Sequence, residues 1–233
     1  MDESLPIVLV PGLLCTPRLY SEQLPALWRF GPVTVADHTR DASIAGIARR
    51  ILSLAPPRFA LIGLSMGGYV SFEILRQAPE RVVKLALLDT TARPDTPEQT
   101  DARKRQIELA QRGRFGEIAR LLFPRFVAAA RHGDRALQAI VRQMADDTGP
   151  DAFVRQQTAI MHRVDSRPTL AAIACPTLVV VGEQDAFTPP ALAAEIATGI
   201  AGAREVVVPE CGHLCTLEQP EAVTRALVEF LGS

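Results

Sequence analysis

A serine, an aspartate and a histidine, far apart in the chain, are of the residue types needed for nucleophilic catalysis. Ser65 lies in "GLSMG", Asp185 in "VVVGEQDAFTPP" and His213 in "VVVPECGHLCTLEQPE". A serine hydroxyl is a poor nucleophile unless a base takes its proton, and the base needs an acid to orient it. Each of the three residues follows a short apolar run, so all three could lie where strands end.

The surroundings of Ser65 distinguish a nucleophile from a packing residue. The apolar run "FALIG" precedes it and a helical pattern follows, so the pentapeptide Gly63–Gly67 fits a strand-to-helix turn that exposes the hydroxyl. A side chain at Gly63 or Gly67 would collide across this turn, and the N–H of Met66 would face a developing oxyanion. The alternative is that the glycines merely let a helix lie close to a sheet while the serine caps it.

The candidate base is chosen from four histidines. His213 follows the last predicted strand, at the same edge of the sheet as Ser65, although it could also be an ordinary loop residue before a helix. We expect His38 to lie in a surface loop. His132 and His162 are expected to be solvated or locally hydrogen-bonded.

The acid that orients the base must also come from a strand end. Asp185 directly follows the penultimate predicted strand. Its alternative role is that of a turn residue capping the next helix. Glu183 and Asp89 are rivals, and Asp89 is the better of the two because it ends a strand run.

Short, nearly all-apolar runs alternate with stretches of helical periodicity, as expected for strands buried on both faces of a parallel sheet. The predicted strands are residues 7–10, 33–36, 59–63, 85–89, 177–182 and 205–209. The predicted helices are residues 43–54, 66–77, 190–199 and 219–231. This alternation predicts an α/β fold with a mostly parallel, doubly wound sheet.

Residues 91–170 interrupt the alternation with an Arg- and Ala-rich stretch of helical spacing. So long an interval is not expected to be a loop in a compact domain. We therefore predict an inserted helical cap over the carboxyl edge of the sheet. The core is then formed by residues 1–90 and 171–233.

The composition is that of one globular domain: 233 residues, 48% apolar and 22% charged. A net charge of -1 provides no overall field to attract nucleic acid or an anionic membrane. No apolar run approaches the length of a bilayer span, and Asp2 and Glu3 stand where a secretory signal would carry basic residues. We expect a cytoplasmic protein with neither a nucleic-acid nor a membrane partner.

The four cysteines show no C-x-x-C spacing, so reduced thiols are expected. The stretch "CGHLC" brings Cys211, His213 and Cys215 together. A structural zinc site needs four ligands, however, and no second cluster appears. The sequence predicts neither a metal nor a cofactor.

Four segments together resemble the α/β-hydrolase superfamily over essentially the whole chain: "IVLVPGLLCTPRLY", "LIGLSMGGYV", "LVVVGEQDAFTPP" and "PECGHLCTLEQPEAV". The sequence is similar to the small cap-bearing esterases, including the pimeloyl-carrier-protein methyl ester esterase, enol-lactone hydrolases and cofactor-free haloperoxidases or perhydrolases. The resemblance implies the α/β-hydrolase fold and a catalytic Ser65, Asp185 and His213.

The resemblance also implies a second oxyanion donor beside Met66. In this superfamily a His-Gly pair usually follows the first strand, and the next residue supplies a backbone N–H. Here Pro11 replaces the histidine while Gly12 remains, so Leu13 takes the donor position. Pro11 lacks an N–H and stiffens the turn.

Several apolar residues, in these segments and in the predicted cap, are candidates for lining an acyl or alkyl pocket, although core packing explains them about as well. They are Leu14, Cys15, Phe123, Phe126, Phe187 and Leu214. As a lone thiol, Cys15 is more simply a small apolar filler than a nucleophile.

The resulting interpretation is a serine hydrolase that cleaves carboxylic esters of a small or acyl-chain substrate through an acyl-enzyme. C–C bond hydrolysis, lactone opening and perhydrolysis use the same triad and remain open. So does a ligand-binding or signalling protein on the same fold, because fold does not fix function.

Basic residues are concentrated in the predicted cap. Residues 91–170 hold 14 Arg and Lys against 10 Asp and Glu, whereas the whole chain carries -1. Solvated helix faces are the simplest explanation. The alternative, suggested by the resemblance to the carrier-protein ester esterase, is a docking face for an acidic acyl carrier protein or for an anionic acid group.

Overall fold

The computed structural model describes residues 4–233, and within them six parallel strands form one sheet. The strands are β1 (Ile7–Val10), β2 (Val33–Val35), β3 (Phe59–Leu64), β4 (Val82–Leu88), β5 (Thr177–Gly182) and β6 (Arg204–Val208), in the spatial order β2-β1-β3-β4-β5-β6. The chain reverses its direction across the sheet between β1 and β3, and ligands bind at the carboxyl ends of strands at such a point. The predicted parallel, doubly wound sheet is confirmed. Asp2 and Glu3 lie outside the described residues.

Helices cover both faces of the sheet. They are α1 (Leu24–Leu27), α2 (Ile44–Leu54), α3 (Met66–Gln77), α4 (Pro97–Leu109), α5 (Gly116–Phe126), α6 (Arg135–Met161), α7 (Pro190–Gly199), α8 (Cys215–Glu218) and α9 (Pro220–Gly232). One apolar core packs α2, α3 and α7 on one face, and a second packs α5, α6 and α9 on the other. Because neighbouring strand residues point to opposite faces, Leu61 joins the first core and Ile62 the second.

Strand β4 begins three residues before its predicted start, at Val82. The charged Lys84 interrupts the apolar run, so hydrophobicity alone does not predict this part of the strand. Its Nζ donates hydrogen bonds to the carbonyls of Phe230, Leu231 and Ser233 at the end of α9, which satisfies the charge. The strand ends before Asp89, whose φ of 44° takes it out of the extended conformation.

Residues 91–170 lie between β4 and β5 and are mainly helical. Helix α4 begins with a capping box formed by Thr96 and Gln99, and α6 is kinked at Gly149, which has a φ of 75° and precedes Pro150. None of the helices within residues 4–233 combines the length and the apolar content needed to cross a membrane.

Candidate active site

The turn between β3 and α3 holds Ser65 in a strained conformation. Its φ of 55° and ψ of -112° are rarely adopted by a residue with a side chain, and such strain costs about 1–3 kcal/mol. Two hydrogen bonds brace the turn: Ser65 N donates to the carbonyl of Leu88 at 2.9 Å, and Thr90 Oγ1 donates to the carbonyl of Ser65 at 2.8 Å. Strain that is braced in this way is typical of a functional position.

The glycines at the turn are explained by close backbone contacts. A Cβ at Gly63 would overlap the carbonyl of Gly67, and a Cβ at Gly67 would overlap the carbonyl of Val10. Met66 is the first residue of α3, so its N–H is one of those that have no partner within the helix. The turn therefore presents a hydroxyl and a backbone donor at the same helix end.

Three side chains form a hydrogen-bonded series at the carboxyl edge of the sheet. His213 Nδ1 donates to Asp185 Oδ2 at 2.8 Å, and Ser65 Oγ lies 2.9 Å from His213 Nε2. A carboxylate only accepts hydrogen bonds, so the proton of the neutral imidazole is on Nδ1. Nε2 is then free to accept the hydroxyl proton of Ser65. The structure thus brings together three residues that are far apart in the sequence.

Asp185 is anchored so that its carboxylate faces the imidazole. Oδ1 accepts from the backbone N–H groups of Phe187 at 2.8 Å and Thr188 at 3.0 Å, while Oδ2 accepts from the Thr188 hydroxyl at 2.6 Å. These bonds close a tight turn after β5. The alternative role of Asp185 as a helix cap is wrong, because Pro189 is the residue that precedes α7.

Asp185 and His213 each favour the charged form of the other. Burial alone would raise the pKa of Asp185, but the interaction with His213 and the hydrogen bonds from Thr188 hold it below its usual value. Burial alone would lower the pKa of His213, yet the charge and hydrogen bond of Asp185 raise it above 6.5. A carboxylate that stays ionised beside a histidine of raised pKa is suited to general-base catalysis near neutral pH.

The two rival acids occupy other positions. Glu183 is exposed, and its carboxylate accepts from the N–H of Glu210 at 3.2 Å. Asp89 is fully buried, and it accepts from the N–H groups of Gly182 at 2.9 Å and Cys215 at 3.1 Å. Asp89 therefore ties the end of β5 to the segment that follows His213.

The remaining histidines make contacts of their own. His132 and His162 are exposed and bond locally, to the carbonyls of Pro124 and Thr158, as predicted. His38 was expected in a surface loop, and this expectation is wrong: its side chain is buried and its Nε2 lies 2.8 Å from the carbonyl of Gly12. The loop after β2 folds inward against the loop after β1.

A cavity of about 230 Å³ opens on Ser65 and His213. Among the predicted lining residues, Phe126 and Phe187 form part of its wall, as does Leu13. Phe187 packs against the imidazole of His213, with 5.0 Å between ring centroids, and Phe126 packs against Phe187 at 5.3 Å. These rings cover one side of the His213 imidazole.

The other predicted lining residues are not on this wall. Leu14, Cys15, Phe123 and Leu214 are buried in the core that packs α5, α6 and α9, because their side chains point away from the cavity into that packing. Burial raises the pKa of Cys15 to about 12, so its thiol stays protonated. Its role as an apolar filler is the one the structure supports.

Two further observations concern other kinds of site. A cavity of about 460 Å³ lies at the amino ends of β4 and β5, around Val82 and Cys175, at the edge opposite Ser65. Within residues 4–233 no three His, Cys, Asp or Glu side chains are grouped so that they could hold a metal ion.

Comparison with known proteins identifies the fold family. The sequence profile described as "Alpha/beta hydrolase family" matches residues 7–226. The chain belongs to this family. The parallel sheet and the turn at Ser65 are thus features of a hydrolase, and the predicted resemblance is confirmed.

Similar proteins include several enzymes. A thermophilic esterase from Thermogutta terrifontis has 33% sequence identity and a TM-score of 0.88, over 98% of this chain and 89% of that one. An enol-lactonase from Burkholderia xenovorans LB400 has 26% identity and a TM-score of 0.89, over 100% of this chain and 93% of that one. A pimeloyl-[acyl-carrier protein] methyl ester esterase from Edwardsiella ictaluri is 28% identical over 229 residues, 95% of this chain and 86% of its own length.

In this hydrolase the loop after β1 is held by residues that the sequence did not single out. Gln156 on α6 is buried; its Oε1 accepts from the N–H of Leu14 at 3.2 Å, and its Nε2 lies 3.1 Å from His38 Nε2. Leu14 has a φ of 59°, so the loop turns sharply just after Leu13. His38 and Gln156 thus hold the loop in which Pro11 replaces the usual histidine of the family.

A second unpredicted residue, Glu218, holds the loop of His213. Its Oε1 accepts from the N–H groups of Gly212 at 3.0 Å and Leu214 at 3.3 Å, and its Oε2 accepts from the N–H of Ala128 at 2.7 Å. The carbonyl of Phe126 also accepts from the N–H of His213 at 2.9 Å. The signal that the sequence offers is a carboxylate five residues after the candidate base His213, which is too common a spacing to be interpreted alone.

Proposed function

We propose that this hydrolase is a serine esterase that cleaves carboxylic esters of a small or acyl-chain substrate. The observation that carries the proposal is the continuous series from Ser65 Oγ through His213 to Asp185, with distances of 2.9 and 2.8 Å, at the wall of a cavity. Nucleophile, base and orienting acid are already within hydrogen-bonding distance.

In the proposed acylation step, Ser65 Oγ attacks the ester carbonyl carbon while its proton moves to His213 Nε2. The carbonyl oxygen becomes an oxyanion, and the N–H groups of Leu13 and Met66 are its proposed donors. The C–O bond to the alcohol then breaks, and His213 returns the proton to the leaving oxygen. Asp185 stays ionised and stabilises the imidazolium throughout.

Water completes the cycle. His213 accepts a proton from water as the water oxygen attacks the acyl-enzyme, and the second tetrahedral intermediate collapses to a carboxylic acid. The proton on Nε2 returns to Ser65 Oγ, so the enzyme is regenerated. The ester and one water molecule are consumed, and an alcohol and a carboxylic acid are released, so these steps balance.

Residues 91–170 are proposed to act as the cap of this enzyme, set between the core segments 1–90 and 171–233. The support is that residues from α4 and α5 share the cavity wall with Ser65 and His213. A cavity closed by helices excludes water from the reacting ester and strengthens electrostatic interactions inside it.

An ester attached to an acyl carrier protein is a more specific candidate substrate. Its support is the similarity to an esterase named for such a substrate, together with the excess of basic residues in 91–170. Carrier-linked substrate would then show a Michaelis constant that rises with added salt, because salt screens exposed charges. A Michaelis constant that does not respond to salt would argue for a free small ester.

The test combines covalent labelling with turnover. A fluorophosphonate probe and p-nitrophenyl acetate and butyrate are compared on the wild type, Ser65→Ala and His213→Ala. Ser53→Ala is the matched control, because Ser53 is an exposed serine on α2 whose hydroxyl bonds only to the carbonyl of Arg50. We expect labelling and repeated turnover in the wild type and the control, and loss of both in the other two.

Each other outcome points to a different function. Labelling of Ser65 without repeated turnover would favour the ligand-binding or signalling role. Turnover of lactones, or of substrates cleaved at a C–C bond, in preference to open-chain esters would favour the alternative chemistries on the same triad. An unlabelled Ser65 would refute the proposed nucleophile.

A further inference from the structure

The charged side chains on the wall of the cavity are all cationic. They are Arg93, Arg103, Arg125 and Arg163, and among the described residues no Asp or Glu lines the same cavity. Arginine presents a planar fork of donors that suits carboxylates and phosphates. This asymmetry bears on the substrate class of the proposed esterase and therefore rests on that function.

Two of these arginines share a single counterion. Asp95 Oδ2 accepts from Arg103 Nε at 2.6 Å, and its Oδ1 accepts from Arg163 Nη1 at 2.6 Å. The carboxylate is 1% exposed and the Arg163 side chain 5%, so this group is largely removed from water. One negative charge between two positive charges leaves a net positive charge on a partly buried wall.

Arg125 adds a second uncompensated charge. Within residues 4–233 no carboxylate lies within 4.0 Å of its guanidinium, whereas Arg93 is paired with Glu195 at 2.9 Å. Arg125 instead lies over the ring of Phe187, with its Cζ 4.2 Å from the centroid. Since that centroid is 5.0 Å from the imidazole of His213, the guanidinium lies within about 9 Å of the catalytic base.

A concave wall whose charged side chains are all cationic attracts anions, and the exposed guanidinium of Arg125 has no carboxylate partner among the described residues and is accessible to one on a ligand. The ester carbonyl must lie at Ser65, so the anion must be a second group on the same molecule, a few bonds from the ester. We propose that the cavity selects esters with an anionic group on the acyl side, such as monoesters of dicarboxylic acids, and that Arg125 binds this group.

The test uses two substrates that differ only at the remote end. Monomethyl adipate carries a free carboxylate, whereas dimethyl adipate carries a neutral ester, and release of methanol reports hydrolysis of both. We expect wild-type kcat/KM to be about ten- to a hundredfold higher for the monoester, the range of a charge-assisted hydrogen bond. A phosphate-bearing methyl ester in the same assay distinguishes the two kinds of anion.

Arg125→Gln should lower the ratio of the two kcat/KM values about tenfold, and Arg125→Lys should restore part of it because the charge is kept without the fork. Arg120→Gln is the matched control: it removes one positive charge from α5, at a side chain that is 72% exposed and outside the cavity wall. The control should leave the ratio unchanged.

The inference would be overturned by a wild type that does not prefer the monoester, whether it prefers the diester or hydrolyses both equally, or by equal losses of the ratio in Arg125→Gln and Arg120→Gln. Any of these results, with both esters hydrolysed, would leave the esterase function intact. Failure to hydrolyse either ester, together with an unlabelled Ser65, would instead refute the proposed function.

Discussion

The buried carboxylate of Asp89 makes the stability of this fold depend on pH near neutrality. Burial, reinforced by the charge of Asp185, raises the pKa of Asp89 to about 7, compared with 3.8 in an exposed setting. The folded state therefore holds a proton that the unfolded chain releases. The contribution of Asp89 to the free energy of unfolding is therefore highest at low pH, falls as the pH rises between about 4 and 7, and is constant above that range.

Asp89→Asn isolates this contribution, because an amide is neutral at every pH in the range. Each pH unit between the two pKa values is worth about 1.4 kcal/mol, so wild-type stability should lose about 3 kcal/mol from this group between pH 5 and pH 8. The amide also places one N–H donor against the N–H of Gly182 or Cys215, which should cost about 1–3 kcal/mol regardless of pH. The variant should therefore be less stable than the wild type at pH 5 and close to it, or more stable, at pH 8.

Urea unfolding at pH 5, 6, 7 and 8 measures the difference directly. Taking the difference between two proteins removes the contributions of the other carboxylates, several of which have the opposite sign, such as Asp37, whose pKa is lowered to about 2. Asp101→Asn, at an exposed position on α4, controls for the loss of one negative charge. A difference between wild type and Asp89→Asn that is constant from pH 5 to pH 8 would refute the reasoning.

Three further predictions concern the site itself. Gln156→Leu removes the acceptor of the Leu14 N–H and so loosens the loop that carries the proposed oxyanion donor, Leu13. In steady-state ester hydrolysis kcat should fall about tenfold or more, with KM little changed. An effect on KM alone would contradict the role of Gln156 in positioning this loop. Glu218→Gln replaces a charged acceptor of three backbone N–H groups with a neutral one. The free energy of unfolding should fall by about 2–4 kcal/mol, measured by urea unfolding, and kcat for ester hydrolysis should also fall. A variant with unchanged stability and kcat would contradict the role of Glu218 in holding the loop. Because the proposed base His213 must be neutral, kcat/KM should rise with pH through an inflection above 6.5. Asp185→Asn removes the charge that raises the pKa of His213, so the inflection should move to lower pH. An inflection at the same pH in the variant would exclude this interaction as the cause.

Much of the fold follows from sequence patterns that act locally. Buried parallel strands such as 177–182 are continuous apolar runs, so strand β5 was predicted with its observed bounds. The turn at Ser65 was equally visible, because close backbone contacts leave glycine as the residue that fits at Gly63 and Gly67. The apolar pattern did not predict the first part of β4, because Lys84 lies within that strand and donates to backbone carbonyls at the end of α9.

The supporting residues of the site were not predictable, because their roles depend on the distance between loops that are remote in the sequence. His38 and Gln156 are 118 positions apart, yet their side chains meet beside the loop after β1. Which of the predicted lining residues reach the cavity also depended on side-chain direction: Phe126 faces the cavity, whereas Phe123 on the same helix faces the core. A count of basic residues in 91–170 did not reveal which of them line the cavity.

The contacts between the loops and the inserted helices give residues 91–170 a second effect on the site. The N–H of Leu14 bonds to α6 through Gln156, the N–H of His213 bonds to the carbonyl of Phe126 at the end of α5, and Glu218 accepts from the N–H of Ala128. Moving α5 and α6 away as a unit would leave these buried groups unpaired, at about 1–3 kcal/mol each. The same motion would displace the loops that carry the proposed base and oxyanion donor, where a shift of about 1 Å can cost a hundredfold in rate. Substrate entry is therefore expected to involve local rearrangement at the cavity mouth, with α5 and α6 remaining in place to hold the loops of the proposed base and oxyanion donor.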